Sequence, residues 1–532
     1  MKTTHYDEIP YTKHIYKQTQ PDYLATLATL FGMSPPPVET CRVLELGCAS
    51  GINTLAMAQA IPNGEFIGID NSLLQIKEGQ NNIRLLGLQN IRLEKMDILD
   101  ISTHLGLFDY IVAHGVYSWV PPVVRDKILQ VCRHYLQPNG VAYVSYNIYP
   151  GWHSDHTLRE MLLYHTRNVS DSKEKLAQAK ILLKFFLDAI KDKFDAYSLS
   201  LKKELQHIAQ LNENYLFHEY LEEHNETIYF HEFMARANQE GLQYVTDVRN
   251  PFVSTEHFFS QQTKDLAPSL VEKEQYMDFL RNNAFRETLL CHQSISLNYN
   301  LVPDKISDFY IAAPLKTAVS QTPWDSEKLK MGKLEKFENL AGQAVLSVGS
   351  PLLKAVCLCL GEVWPQSLSF ERLMQRVYKL LTLTDRAAYQ NILSPENINE
   401  VKTLLLEFYL KKIVELSLYP PQLTLNISTR PIASPIARLQ SEQGKSVTNL
   451  RCEVFTLNFS TRLILRHLDG KHEEADLIKI LQKSIENGDV LLYKGEEKQM
   501  PIDINAEELH QYIADQVEDI LQSLAKKAFL VS

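Results

Sequence analysis

Val43-Leu44-Glu45-Leu46-Gly47-Cys48-Ala49-Ser50-Gly51 is the stretch on which the reading of this chain turns. A short apolar run passes into Glu-x-Gly-x-x-x-Gly, and a helical pattern opens at about Asn53. Gly47 and Gly51 lack Cβ, so the backbone can turn sharply there and lie against a ligand. Glu45 ends the apolar run and is placed to hold an ammonium group, directly or through water. The helix start offers unpaired N–H groups to a carboxylate.

A glycine loop alone is weak evidence, so the following segments must agree. Phe66-Ile67-Gly68-Ile69-Asp70 is a second apolar run ending in an acid, which can accept both hydroxyls of a ribose. Ile91 to Ile98 alternates, with Asp97 placed for an adenine amino group and Ile98 for packing on the ring. Phe108–His114 is a fourth strand. Val141–Tyr146 is a fifth, after a Pro138-Asn139-Gly140 turn. A helical pattern over Val123–Leu136 separates the last two. Strand and helix alternate over roughly the first 150 residues, which predicts an α/β fold with a parallel, doubly wound, Rossmann-like sheet. Strand carboxyl ends line the ligand crevice of such sheets, and Glu45, Asp70, Asp97 and His114 all fall there.

A nicotinamide dinucleotide asks for G-x-G-x-x-G, whereas the register here is Gly47-x-Ala49-x-x-Ile52. The combined pattern points to S-adenosyl-L-methionine (AdoMet), with S-adenosyl-L-homocysteine (AdoHcy) as its product. Cys48, Asn53, Asn71 and His114 join the expected cofactor-binding set. Taken singly, Asp70 or Asp97 reads equally well as a helix N-cap.

The chain has 532 residues, 45% hydrophobic and 22% charged, enough for several cores. Its formal net charge of −10 gives a nucleic-acid partner no global electrostatic help, and none is expected. No apolar run reaches the roughly 18–20 residues of a membrane span, and the first residues lack a signal-peptide core. The seven cysteines are scattered, and Cys357 and Cys359 are too close for a C-x-x-C zinc pair. A reducing, cytoplasmic setting without a metal site is expected.

Four regions are expected. Residues 1–165 form the AdoMet-binding domain, with an N-terminal segment from Tyr6 whose helix through Leu24, Leu27 and Leu30 acts as a lid or a plain surface arm. Residues 166–305 form an α-rich region, helical over Lys173–Tyr220 and again over Val271–His292, with a short strand, a helix and a strand between Ile228 and Val245. Residues 306–425 and 426–532 each read as winged-helix-like. Leu405–Ser417 and Ile520–Ser532 both place a helix, a Lys-Lys pair and a short apolar strand in the same order. Each follows two helical stretches: Ser350–Leu360 with Ser369–Leu380, and Asn458–Leu468 with Glu473–Ile485. The acidic balance favours protein contacts for these modules over DNA. Ser320–Asp325 and Asn426–Asn449 read as linkers.

AdoMet carries an activated methyl group, so an enzyme that uses it chiefly aligns a nucleophile and excludes water. The acceptor is expected beyond the fourth and fifth strands, at His114-Gly115-Val116-Tyr117-Ser118-Trp119 and Tyr146-Asn147-Ile148-Tyr149-Pro150-Gly151-Trp152. His114, Tyr117, Tyr146, Tyr149 and Trp152 are the candidates there, because tyrosine and tryptophan faces favour a cationic amine. Packing between loops is the competing role for Trp119 and Trp152, and a backbone-bonded strand end the competing role for His114. A lysine amine, with a reference pKa of about 10.4, must also lose a proton. No Asn-Pro-Pro-Tyr follows the fourth strand, which argues against amino-methyltransferases of nucleic-acid bases and glutamine.

Cys41–Gly51, His114–Pro122 and Tyr146–Trp152, with Tyr6-Asp7-x-x-Pro10-Tyr11 ahead of them, resemble the bacterial class I methyltransferases that carry a methyltransferase regulatory domain. The best understood members of that group are the rickettsial-type protein lysine methyltransferases, which act on outer-membrane protein lysines, and the chain resembles them. The resemblance spans nearly the whole chain, with the regulatory segment at about Asn214–His292. It implies AdoMet contacts at Glu45, Gly47, Gly51, Asp70, Asp97 and Ile98, a protein substrate (an outer-membrane protein among the candidates) and a homodimer through the α-rich part. Relatives often carry Gly-Gly-Asn where this chain has Gly51-Ile52-Asn53, which implies a locally different loop, since a β-branched residue resists positive φ. A small-molecule methyltransferase and a non-catalytic AdoMet-binding interaction protein remain the alternative readings.

Overall fold

The computed structural model describes residues 14–251, 267–317, 329, 334–340, 342–490 and 506–531. The Tyr6-Asp7 and Pro10-Tyr11 motif and the Ser320–Asp325 linker lie outside them. The chain divides into two compact units, Met1–Asn300 and Leu301–Ser532.

In the first unit a helix α1 (Pro21–Leu30) precedes β1 (Arg42–Leu46), α2 (Ile52–Ala60), β2 (Glu65–Asp70), α3 (Leu73–Leu86) and β3 (Ile91–Lys95). Then come β4 (Phe108–Ala113), α4 (Pro122–His134) and β5 (Leu136–Asn147). Four helices follow: α5 (Trp152–Thr166), α6 (Ser172–Ile190), α7 (Ala196–Ala209) and α8 (Glu213–Tyr220). The unit closes with α9 (Phe230–Gln239), β6 (Leu242–Asp247), α10 (Leu270–Arg281) and β7 (Phe285–His292). The seven strands form one sheet in the order β3-β2-β1-β4-β5-β7-β6. β1 to β5 run parallel, and β7 is antiparallel to both neighbours. Strand order reverses between β1 and β4, which opens the ligand crevice over their carboxyl ends.

Two expectations need correction here. The Val271–His292 stretch is helical only to Arg281; Asn282 takes a left-handed φ of 51° and ends the helix, and Phe285–His292 is a sheet strand. β7 is buried on both faces from Arg286 onward, so its sequence lacks the alternation that marks a strand. Pro138-Asn139-Gly140 is not a turn before β5. The register jumps from Phe108–Leu136 to Tyr110–Val141, and these residues bulge out of the pairing.

Helices α5 to α8 enclose a core of their own, built on Leu158, Leu162, Leu176, Leu183, Leu205, Ile208 and Phe217. α6 shows why the region is helical. Asp171 caps it by accepting from Glu174 N at 2.8 Å, and Leu176, Ala179 and Leu183 recur at helical spacing on the buried face.

In the second unit β8 (Tyr310–Ala312) pairs with β9 (Leu368–Ser369) and β10 (Glu415–Ser417). Around this small sheet stand helices Pro351–Val363, Phe370–Thr384 and Pro395–Leu410, the outline of a winged helix. Helices Phe459–Arg466, Glu474–Glu486 and Ala506–Lys526 surround the C-terminal core. Both modules end alike: a residue with left-handed φ (Lys412 at 58°, Ala528 at 59°) follows the last helix and turns the chain into a short extended segment. The stretch Asn426–Asn449 is not a linker. Ser434 caps a helix at Pro435–Gln443 by accepting from Ala437 N, and Val447 is fully buried. The Ser-Pro pair that reads as loop is a helix start, with proline at the first helical position.

Candidate active site

A cavity of about 1310 Å³ opens over the carboxyl ends of β1, β2 and β4. That exceeds the roughly 300–1,000 Å³ typical of a small-molecule site, leaving room for a nucleoside cofactor beside a second reactant. Glu45, Gly47, Cys48, Asn53, Asp70, Asn71, Asp97, Ile98, His114 and Trp152 all line it.

The floor is a polar network. The buried carboxylate of Glu45 accepts from Asn53 Nδ2 at 2.8 Å and from Thr54 Oγ1. Burial, opposed by these bonds, pushes its pKa up. Asn53 Oδ1 accepts from Tyr16 N (3.0 Å), Thr19 Oγ1 (3.3 Å) and Gln20 Nε2 (3.2 Å), tying the N-terminal segment to the loop. Tyr16 and Gln18 consequently line the cavity, and the Tyr16 ring lies 3.9 Å from that of His114.

Asp70 shapes the loop itself. Its Oδ2 accepts from Ala49 N at 2.9 Å and its Oδ1 from Ser72 N at 2.8 Å. The loop is left-handed at Gly47 (67°), Ala49 (51°) and Gly51 (70°). Ile52 already belongs to α2 and takes no positive φ, so the departure from Gly-Gly-Asn places no strain there. Gly51 does not line the cavity. A Cβ on it would lie 2.4 Å from Leu93 Cδ1, and one on Gly68 or Gly79 would also collide with Leu93. The three glycines form a notch for that leucine, so the missing Cβ of Gly51 serves packing. Asp97 lines the cavity and also caps a short 3-10 turn, accepting from Leu99 N at 2.9 Å.

The acceptor candidates separate. His114 is half-buried at the cavity wall, its Nδ1 2.8 Å from Tyr143 Oη. Burial, with His14 nearby, lowers its pKa to about 4, so its imidazole is neutral at neutral pH. Trp152 lines the cavity and stacks with Tyr220 at 6.4 Å. The structure does not bring Tyr117, Tyr146 or Tyr149 to the wall. Tyr117 and Tyr146 are core residues packed on Phe233, and Tyr146 Oη meets Thr288 Oγ1 at 2.7 Å. Tyr149 stacks on His153 at 4.3 Å. Along β5, residues of one parity face the cavity side and the others the core. Asn147 lines the cavity, so Tyr143 and Ser145 share its face and Tyr146 does not.

Sequence reasoning missed the far wall. Asp155, Glu204, Glu219, Glu222 and Glu223 reach the cavity from α5, α7, α8 and the turn after it, and Glu287 from β7. Trp119, Tyr215 and Tyr220 stand among them.

Comparison with known proteins follows this layout. A methyltransferase domain model matches residues 37–214, a predicted methyltransferase regulatory domain 212–292, and the PKMT C-terminal winged helix domain 429–529. The structure of PKMT2 from Rickettsia typhi in complex with AdoHcy superposes with a TM-score of 0.82 at 30% identity, over 98% of this chain and 100% of that one. This chain belongs to the PKMT family. The uncharacterized protein RP789 of Rickettsia prowazekii (strain Madrid E) is 35% identical over 99% of this chain and 93% of its own length. The fold is that of a PKMT, and the chain is an AdoMet-dependent methyltransferase. The regulatory segment is not peripheral here: it supplies α8, two sheet strands and four of the wall's acidic residues, Glu219, Glu222, Glu223 and Glu287. Among the described residues no helix is long and apolar enough to cross a membrane, and no group of three or more His, Cys, Asp or Glu is placed to hold a metal.

Proposed function

We propose that this chain methylates lysine ε-amines of protein substrates. The observation that carries the reading is the charge of the wall beyond the cofactor loop. Six carboxylates line it, from Asp155, Glu204, Glu219, Glu222, Glu223 and Glu287, against the single guanidinium of Arg249. A cavity wall on which carboxylates outnumber cations concentrates a cationic ligand, and the tryptophan and tyrosine faces add to that attraction. Membership of the PKMT family supports the same substrate class.

In this reading Asp70 takes the ribose hydroxyls, and Asp97 and Ile98 hold the adenine. Glu45, Gly47, Cys48, Asn53 and Asn71 surround the methionine and ribose parts. When bound, AdoMet supplies a methyl group already activated as a sulfonium. The chain's own residues orient the amine, exclude water and accept its proton. The proposed substrate is an outer-membrane protein met in the cytoplasm. The proposed assembly is a homodimer through α6, where Ile181 (60% exposed) and Phe185 (62%) share one outward face.

The test uses labelled AdoMet and a cell lysate separated into protein and small-molecule fractions. Label in protein is expected; label confined to small molecules would replace this reading with the small-molecule one. Tight AdoMet binding with no transfer would favour the interaction-protein reading.

A further inference from the structure

His114 lines the cavity at the end of β4 and can take a proton, yet its burial disfavours an imidazolium. A neutral imidazole escapes this problem if it passes one proton on while it receives another. The structure holds the partners for that exchange. His114 Nδ1 lies 2.8 Å from Tyr143 Oη, and the Tyr143 hydroxyl and the Glu287 carboxylate are close enough to interact electrostatically. In the sheet Tyr143 opposes Leu289 and Ser145 opposes Glu287, so Tyr143 and Glu287 are diagonal neighbours on one face. Ser145 Oγ accepts from Gly115 N at 2.8 Å and fixes the turn that carries His114. Gln18 Nε2 donates to Glu287 Oε1 at 3.2 Å from the N-terminal side.

We propose that Glu287 is the terminal proton acceptor for the substrate amine, reached through His114 and Tyr143. The inference rests on the amine-acceptor reading above. With Glu287 ionised, Tyr143 donates to it and His114 donates from Nδ1, which leaves the Nε2 lone pair for the ammonium. One proton passes from the ammonium nitrogen to Nε2. The Nδ1 proton moves to Tyr143 oxygen, and the Tyr143 proton moves to Glu287. The amine is then neutral, His114 is neutral in its other tautomer, and Glu287 is a carboxylic acid. The amine lone pair forms the new N–CH3 bond as the sulfur–methyl bond of AdoMet breaks and its electrons return to sulfur. Glu287, itself at the cavity wall, returns its proton to water.

The charged and titratable surroundings suit this task. Asp247 on β6 accepts from Glu287 N at 3.1 Å and repels its charge, while Arg249 beyond β6 attracts it. Tyr16 faces Glu287 from the N-terminal segment, and His14 lies beside His114. Burial first, then Asp247, brings Glu287 up to about 7, near the working pH of a useful base.

The test reads the ring as well as the rate. In protein carrying nitrogen-15 histidine and bound AdoHcy, the His114 tautomer is expected to switch between Nδ1–H and Nε2–H with a midpoint near Glu287's value. The switch is expected to be absent in Glu287→Gln. With a lysine-containing protein substrate, Glu287→Gln and Tyr143→Phe are each expected to lower kcat by about 100-fold, the lower end for general base catalysis, and to remove the acidic limb of the pH profile. AdoHcy affinity, measured by calorimetry, should change by less than about threefold, which also reports that both variants fold. No tautomer switch in the natural sequence, or an unaltered pH profile in active Glu287→Gln, overturns the relay. A switch without methyl transfer to any lysine supports the coupled network and overturns the acceptor reading instead.

Discussion

Asp70→Asn is the sharpest probe of the cofactor loop. Both carboxylate oxygens of Asp70 accept from backbone N–H groups, Ala49 at 2.9 Å and Ser72 at 2.8 Å. Asparagine has the same shape but only one acceptor oxygen. Whichever way its amide turns, the NH2 faces one of those N–H donors. One charge-assisted bond is lost and two donors are opposed, a change of about 2–4 kcal/mol at the loop. Part of that falls on folding and part on binding. If half or more falls on binding, AdoMet affinity drops about 5- to 700-fold, at about 1.4 kcal/mol per factor of ten. Calorimetric titration with AdoHcy, beside urea unfolding of the same preparations, separates the two shares. Affinity within threefold of the natural sequence, with stability also unchanged, would refute both the loop geometry and the ribose assignment.

Asn53→Ala removes the residue that bonds Glu45, Tyr16, Thr19 and Gln20 together. It should destabilise the fold by about 2–3 kcal/mol, since buried partners lose their bonds, and should raise the rate of proteolysis near Tyr16; an unchanged urea midpoint would contradict this. Tyr149→Phe is expected to leave turnover within about twofold, because Tyr149 stacks outside the cavity; a loss tenfold or more would return Tyr149 to the acceptor site. Glu287 titrates near 7 in the folded protein, above its ordinary 4.5. The native state therefore holds its proton longer than the unfolded one, and the stability this gives is lost as pH rises through about 7. Glu287→Gln lacks this loss, so its stability relative to the natural sequence should rise by about 2–3 kcal/mol between about pH 5 and pH 8. A pH-independent difference in urea unfolding would reject it.

The five parallel strands were legible because β1, β2, β4 and β5 hold apolar runs and β3 alternates, with Gly47, Asp70 and Asp97 following or ending the first three strands. The cavity lining between Glu45 and Ile98, Gly51 apart, was legible from local spacing. β7 was not, because a strand buried on both faces has no alternation to read. Glu287 was hidden with it, since its place beside Tyr143 depends on a pairing that closes across more than a hundred residues. Tyr146 stands among the acceptor candidates and Tyr143 does not, although both are strand tyrosines near the crevice. The period of two along β5, anchored on Asn147, distinguishes them and could have been applied. Gly51 has the conformation its sequence implied, but its neighbour is Leu93, which no local reading supplies.

The most direct test of the central claim is the chemical identity of the methylated product. A lysine-containing outer-membrane protein is labelled with the purified enzyme and methyl-labelled AdoMet, hydrolysed completely in acid, and its amino acids are separated. Label running with mono-, di- or trimethyllysine is the predicted result. Label lost as methanol, or carried by any residue other than lysine, would contradict it.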